Sequence, residues 1–384
     1  MDLVSLFANV EEFAHEFASS YCLVNGSLQK LEDIQKMGYE EFSYRARLNM
    51  PLKLYRYYPN KNNGENGENY SIQALRNNTV YLQTPIEFDD VYDSDINIDY
   101  LEYEHFRLLE YCRRCNVDVD RKSSNQEIGN RFVRKLWEYY NKNSGLDGFF
   151  LEEDDSEVIK LSNDNFIMRF IIEFNKSKDF GLAVGKAMQK EYKEFIASLK
   201  TIFRTVCFST TPYSQLMWGG AYADNHRGFC LEYSILPNEK TYEEIYHNLF
   251  PLIYCKIRPE MSCKLMGIQD AKITDEMLWS IYSNGVLRKS MDWAFQNEWR
   301  LVLPMKNDKT INYNVKFFPI TKVFLGNKMS YDNRKAIIDI CHEKNIPYIG
   351  VKRKNSLYEM EPCSMKCENC LKYNARREEN LIEF

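Results

Sequence analysis

The sequence predicts an α+β fold, with a mixed or antiparallel central sheet, surrounding helices and a large helical insertion. Strand-like runs appear near residues 52–58 and 80–82 and return only after residue 203. The intervening stretch reads as long, charged, amphipathic helices. Strands and helices alternate without a regular βαβ rhythm, and no G-x-G-x-x-G, P-loop or H-E-x-x-H pattern occurs, so Rossmann, P-loop and zincin readings find no support.

Residues 1–50 read as an N-terminal helical cap, with Phe7, Val10, Phe13, Ala14 and Phe17 at helical spacing and a second run around Leu28, Leu31 and Ile34. From Leu52 to Tyr58 the pattern alternates: Leu52, Leu54 and Arg56 share one face of a strand, Tyr55 and Tyr57 the other. A polar loop, 60–69, precedes a short helix around Ile72, an Asn77-Asn78 turn and a strand at Val80-Tyr81-Leu82. The insertion, 95–203, carries candidate helices at 100–114, 126–142, 165–176 and 183–203, with an acidic loop at 152–157. Further strands are expected at 204–208, 252–257, 298–303 and 320–325, and helices at 275–288 and 332–344. Residues 51–94 and 204–355 therefore form the core domain, and 356–384 a C-terminal tail.

Composition bounds the function. Fifty basic against fifty-five acidic side chains give a net charge of −5, which argues against general nucleic-acid binding and polybasic membrane association. No run approaches a membrane span, and Glu11, Glu12 and Glu16 stand where a signal peptide would be basic. The expected location is cytoplasmic. Eleven cysteines fit free thiols in a reducing compartment better than a disulfide framework.

Four constellations bear chemistry. Trp218, Tyr222 and His226 recur every fourth residue, with Gly219, Gly220, Asp224 and Gly228 among them, and suggest a pocket wall. Gln296-Asn297-Glu298-Trp299-Arg300 opens a strand on which Glu298 and Arg300 share a face. Asp89, Asp90 and Asp93 suit helix capping or, together with His226, a divalent ion in metal-assisted hydrolysis. Cys363, Cys367 and Cys370 supply three thiols where zinc takes four ligands, and Cys112 with Cys115 only two, so no metal is assigned.

Leu54-Tyr55-Arg56-Tyr57, Val80-Tyr81-Leu82 leading into Thr84-Pro85 and Phe88-Asp89-Asp90, Cys207-Phe208-Ser209, Met217-Trp218, Tyr222-Ala223-Asp224, His226-Arg227-Gly228-Phe229, and Lys289 with Trp293 before Glu298-Trp299-Arg300 occur in this order. The set resembles the bacterial domain-of-unknown-function family numbered 2971, over about residues 50–355 outside the helical block. The family's loop reads Phe-Asn-Asp-Pro-Phe-Asp, where this chain has Phe88-Asp89-Asp90-Val91-Tyr92-Asp93.

A weaker likeness is to ADP-ribosyltransferase-like folds, which carry an Arg on an early strand, a Ser-Thr-Ser strand end, and a Gln or Glu two before a catalytic Glu. Here Arg56, Ser209-Thr210-Thr211 and Gln296-x-Glu298 follow that order. The likeness implies a nucleotide-handling enzyme with NAD as substrate, an ADP-ribosyltransferase or NAD glycohydrolase, such families tending to act in conflict with phage. Glu298 would be the catalytic carboxylate, Arg56 the phosphate clamp and His226 a polar catalytic neighbour. Tyr57, Ser209, Thr210, Trp218, Tyr222, Asp224, Gln296 and Arg300 would bind substrate, and no cofactor is assigned. The alternatives are a non-catalytic sensor that binds a nucleotide or a protein, residues 95–203 carrying any protein partner, and the metal-assisted hydrolase.

Overall fold

A computed structural model describes residues 19–61, 69–146, 165–258, 260–262, 275–304 and 312–363. The expected helix at Phe7–Phe17, most of the 60–69 loop, the acidic loop at 152–157, Cys367, Cys370 and most of the 356–384 tail lie outside these residues. The chain divides into two compact units. One comprises residues 1–87, 203–256 and 289–384, the other 88–202 and 257–288. Residues 257–288, assigned to the core on sequence, thus cluster with the helical block.

The first unit is built on an eight-stranded sheet whose strands are Lys53–Tyr58 (β3), Phe203–Ser209 (β5), Phe229–Ser234 (β6), Leu249–Pro251 (β7), Glu298–Pro304 (β10), Ile320–Leu325 (β12), Tyr348–Arg353 (β13) and Met360–Pro362 (β14). Their order is β14-β13-β12-β6-β3-β5-β10-β7, antiparallel except for β12 with β13, so the sheet is mixed as expected. β5 and β6 are buried along nearly their whole length, the mark of central strands covered on both faces.

A second sheet joins Tyr21–Val24 (β1), Ser27–Lys30 (β2), Ile253–Cys255 (β8) and Arg288–Ser290 (β9) in the order β2-β1-β8-β9. This corrects the helical reading of residues 21–30. Asn25 and Gly26 both have positive φ (50° and 74°) and close a two-residue hairpin, as Asn-Gly does when primed turns match the twist of the strands. Helices follow only at Leu31–Lys36 and Tyr39–Leu48. A third, two-stranded sheet pairs Thr79–Leu82 (β4) with Tyr313–Lys316 (β11).

Two glycines let β6 begin against β12. A Cβ on Gly326 would lie 2.1 Å from the His226 carbonyl oxygen and 2.7 Å from that of Gly228, whereas the Gly326 N–H donates to the Gly228 carbonyl at 3.0 Å. Gly326→Ala is expected to cost about 1–3 kcal/mol, because backbone must move to admit the methyl group. Urea unfolding measures the loss.

The second unit packs helices Tyr100–Arg114, Asn125–Asn143, Asn165–Ser177 and Phe180–Leu199. The last ends earlier than expected because Phe203 already belongs to β5. Tyr103, Arg107, Tyr111 and Glu191 form a buried polar knot: the Arg107 Nε donates to Glu191 Oε1 at 2.6 Å and the Tyr111 hydroxyl to Glu191 Oε2 at 2.6 Å. Each buried charge thus finds an opposite partner, the condition for tolerating such groups in a helical core. Burial pushes the Cys112 thiol up to about 11 and Cys115 to about 12, so both are inert packing thiols.

Candidate functional site

The register of the main sheet decides which side chains can meet. Glu298 is the Cα partner of Ser209 across β10 and β5, and Arg300 that of Cys207. Ser209 in turn opposes Tyr55 on β3, and Tyr55 opposes Glu232 on β6. Opposed residues point to the same face, so Glu298, Ser209, Tyr55 and Glu232 form one transverse row. Arg56 opposes Leu231 and lies between Tyr55 and Tyr57, so it faces the other side.

Glu298 is the centre of this face. Its Oε2 accepts from the Lys289 ammonium at 3.2 Å, and its Oε1 from Arg300 Nη2 at 2.9 Å and Nε at 3.2 Å. Lys289 also donates to Gln296 Oε1 at 2.8 Å, and Gln296 Nε2 donates to the Tyr222 hydroxyl at 2.5 Å. The Tyr254 hydroxyl accepts from the Glu298 backbone N–H at 2.9 Å. Glu298, Arg300, Lys289 and Gln296 are all buried, while Tyr222 is 37% exposed and links the network to solvent. Glu298 and Arg300, which share a face of the strand as expected, meet as a buried pair in which Nε and Nη2 both donate to the one oxygen, Oε1.

Burial drives the Tyr222 hydroxyl above its ordinary range, and it stays a neutral hydrogen-bonding group at neutral pH. Lys289 lies 5.4 Å from the centre of the Trp293 ring, and Trp293 and Phe295 are half-buried, with ring centroids 5.9 Å apart. Planar aromatic faces therefore flank the ionic network.

Other expected site residues lie elsewhere or are already occupied. The Arg56 guanidinium donates to the Cys207 carbonyl at 2.9 Å and sits over the Tyr58 ring at 5.3 Å, on the face opposite Glu298; it does not share that carboxylate's side of the sheet. Trp218 is fully buried, its indole N–H donating to the Pro212 carbonyl at 2.7 Å, and it packs edge-on against Tyr57 at 5.3 Å. Tyr57 donates to the Thr211 carbonyl at 2.9 Å. Both are core, with Met217, Cys230 and Phe324. Ser209 is buried and accepts from the Thr211 N–H at 3.3 Å; the Thr210 hydroxyl accepts from the Asn297 amide.

The fourfold spacing of Trp218, Tyr222 and His226 does not form one helical face. The helix Gln215–Gly219 stops at an extended Gly220, a single 3₁₀ turn covers Ala221–Ala223, and Asp224, Asn225 and His226 all have positive φ of 47°, 51° and 68°. The loop persists because every N–H from Asp224 to Gly228 finds a backbone carbonyl. Asp224 pairs with Arg227 at 3.2 Å and Lys61 at 3.7 Å. His226 stacks parallel to Trp218, ring centroids 6.4 Å apart, with its Nδ1 buried and lacking a hydrogen-bond partner.

Burial, and secondarily Lys328, lowers the His226 pKa below its ordinary 6.5. Between the folded and unfolded values the unfolded chain binds more protons, so stability rises with pH there. The contribution of His226 is intact above 6.5 and declines as pH falls through that window. Urea midpoints at pH 7.5 and 5.5 should drop less for His226→Gln than for the natural chain.

The metal reading gains nothing from these residues. Asp90 accepts from the Tyr92 N–H at 2.9 Å and Asp93 from the Ser94 hydroxyl at 2.8 Å, while the helix that follows is capped by Asp99. Among the described residues no group of three His, Cys, Asp or Glu is placed to hold a metal ion. Cys363 is buried, and Cys112, Cys115, Cys230 and Cys341 are free thiols. No described helix is long and apolar enough to cross a membrane. A cleft of about 800 Å³ in the helical unit, lined by Leu101, His105, Phe106, Leu109, Arg121 and Asn125, includes none of the expected site residues.

The cluster of Tyr222, Lys289, Gln296, Glu298 and Arg300 lies within one stretch of sequence that a family model also recognises. Residues 217–301 match the family described as Protein of unknown function (DUF2971). The DUF2971 match contains Trp218, Asp224 and His226 as well, but not Arg56, Tyr57, Ser209 or Thr210. No curated protein and no solved structure matches the chain. Sequence reasoning left Lys289 of this network, and its neighbours Tyr254 and Cys207, off the site. Lys289 and Cys207 stand in the motif set that resembles the family, which was the available signal; nothing distinguishes Tyr254 among twenty-seven tyrosines.

Proposed function

We propose that the chain is a nucleotide-handling enzyme acting on the N-glycosidic bond of NAD, as a glycohydrolase or ADP-ribosyltransferase, with Glu298 as its catalytic carboxylate. One observation carries the reading: Ser209 and Glu298 are direct partners on neighbouring strands, on one face of the sheet. A carboxylate held in place by Lys289 and Arg300 is positioned to stabilise the positive charge that develops on a ribose as nicotinamide leaves. Gln296 and Ser209 border it, and Tyr222, Trp293 and Phe295 offer planar surfaces for the departing ring.

The clamp assigned to Arg56 passes, in this reading, to Lys289 and Arg300, the cations on the Glu298 side of the sheet. Arg56 instead ties β3 to the β5 backbone. A role in conflict with phage rests on the family resemblance alone.

The second reading, a non-catalytic nucleotide sensor, is favoured by the occupancy of Glu298: both oxygens already accept from Lys289 and Arg300. Incubating the purified chain with NAD separates the two. Nicotinamide release supports the enzyme; saturable NAD binding without release supports the sensor; neither binding nor release overturns both.

A further inference from the structure

The row that begins at Glu298 ends at a second buried carboxylate. Glu232 Oε1 accepts from the Lys53 ammonium at 2.8 Å and the Thr321 hydroxyl at 2.8 Å, and its Oε2 accepts from the Tyr55 hydroxyl at 3.2 Å. Its side chain is 4% exposed, whereas that of Lys53 is 49% exposed. Burial pushes Glu232 up, but Lys53, Thr321 and Tyr55 outweigh it, and the carboxyl lies below its ordinary range. A carboxylate held this firmly fixes the groups that touch it. Tyr55 and Tyr213, both half-buried, stand edge-on to the same Phe324 ring at 6.0 and 5.8 Å, and Tyr55 reaches the carboxylate.

The register gives the distance between the two polar centres. Glu232, Tyr55, Ser209 and Glu298 are successive Cα partners on four adjacent strands. Three inter-strand steps of about 4.8 Å separate the end positions by roughly 14 Å. A ligand whose ribose reaches Glu298 needs a second phosphate-linked nucleoside to reach Tyr55 and Lys53. An ammonium, a phenolic hydroxyl and two ring faces are the chemistry that receives a phosphate and a base.

We infer that Lys53, Tyr55 and Tyr213 form a subsite for the second phosphate-linked nucleoside of a dinucleotide, and that Glu232 is the positioning residue that orients Lys53 and Tyr55. The inference rests on the proposed reading of Glu298. It makes the chain selective for dinucleotides over nicotinamide mononucleotide. Nothing in the subsite takes part in bond breaking.

Calorimetric titration with NAD and with nicotinamide mononucleotide tests this, using the natural chain, Lys53→Gln, Tyr55→Phe and Glu232→Gln. Lys53 is half-exposed, so its variant folds even if Glu232→Gln does not. Lys53→Gln is expected to weaken NAD binding about tenfold and to leave mononucleotide binding within about twofold. Equal weakening of both ligands, or of neither, overturns the subsite, as does a natural chain that binds NAD no more tightly than the mononucleotide. Nicotinamide release alongside equal weakening leaves the reading of Glu298 standing. Selective weakening without release leaves the subsite standing and removes the catalysis.

Discussion

Arg300→Met is expected to lower folding stability by about 3–5 kcal/mol, read from the urea midpoint at constant m-value. Arg300 is fully buried in β10, and both Nε and Nη2 bind Glu298. Removing the guanidinium leaves a carboxylate that is 5% exposed with Lys289 as its remaining cationic partner in this pair of contacts. The cost is desolvation of a charge that has lost its guanidinium partner, more than the loss of two hydrogen bonds. Replacing Glu298 by leucine in the same chain should not recover that loss, because it leaves the buried Lys289 ammonium without its carboxylate. A loss under about 1 kcal/mol for Arg300→Met would show that the carboxylate is not buried as described.

Trp218→Ala is expected to cost a similar amount, about 3–5 kcal/mol, through the cavity it leaves. Trp218 is 0% exposed within a cluster that contains Tyr57, Met217, Cys230 and Phe324. Its loss also leaves the Pro212 carbonyl without its indole donor and removes the ring against which His226 stacks. Trp218→Phe should cost less, since most of the volume is kept. If Trp218 were instead a ligand platform, the alanine variant would bind NAD poorly while unfolding at an unchanged urea concentration.

Much of the fold was legible because the strands obey simple patterning. The alternation over Leu52–Tyr58 placed Tyr55 and Tyr57 on one face and Arg56 with Leu54 on the other, and the register agrees. The same pattern already separated Arg56 from the Tyr55 side, yet sequence order alone grouped it with Glu298. Which face Glu298 takes depends on pairing between strands far apart in the chain, and no local periodicity encodes that. The N-terminal hairpin was missed for a different reason: the apolar spacing of Leu28, Leu31 and Ile34 imitates a helix, and the stronger local signal, Asn25-Gly26, requires turn chemistry to be weighed above period.

The Trp218-x₃-Tyr222-x₃-His226 spacing misled similarly. Fourfold spacing implies a shared face only on a continuous helix, and the helix here ends at Gly219. What survives is contact by other means: Tyr222 reaches Gln296, and His226 stacks on Trp218 through a left-handed loop. Lys289 was visible as a family-like residue, but its role needed the fold, because β9 brings it to Glu298 from another sheet.

The most direct test of the central claim compares turnover and binding in Glu298→Gln. NAD is expected still to bind within a few-fold of the natural affinity, while nicotinamide release falls by about 10²–10⁴-fold, the range for removing a group that acts in the transition state. Undiminished release by the glutamine variant would contradict it.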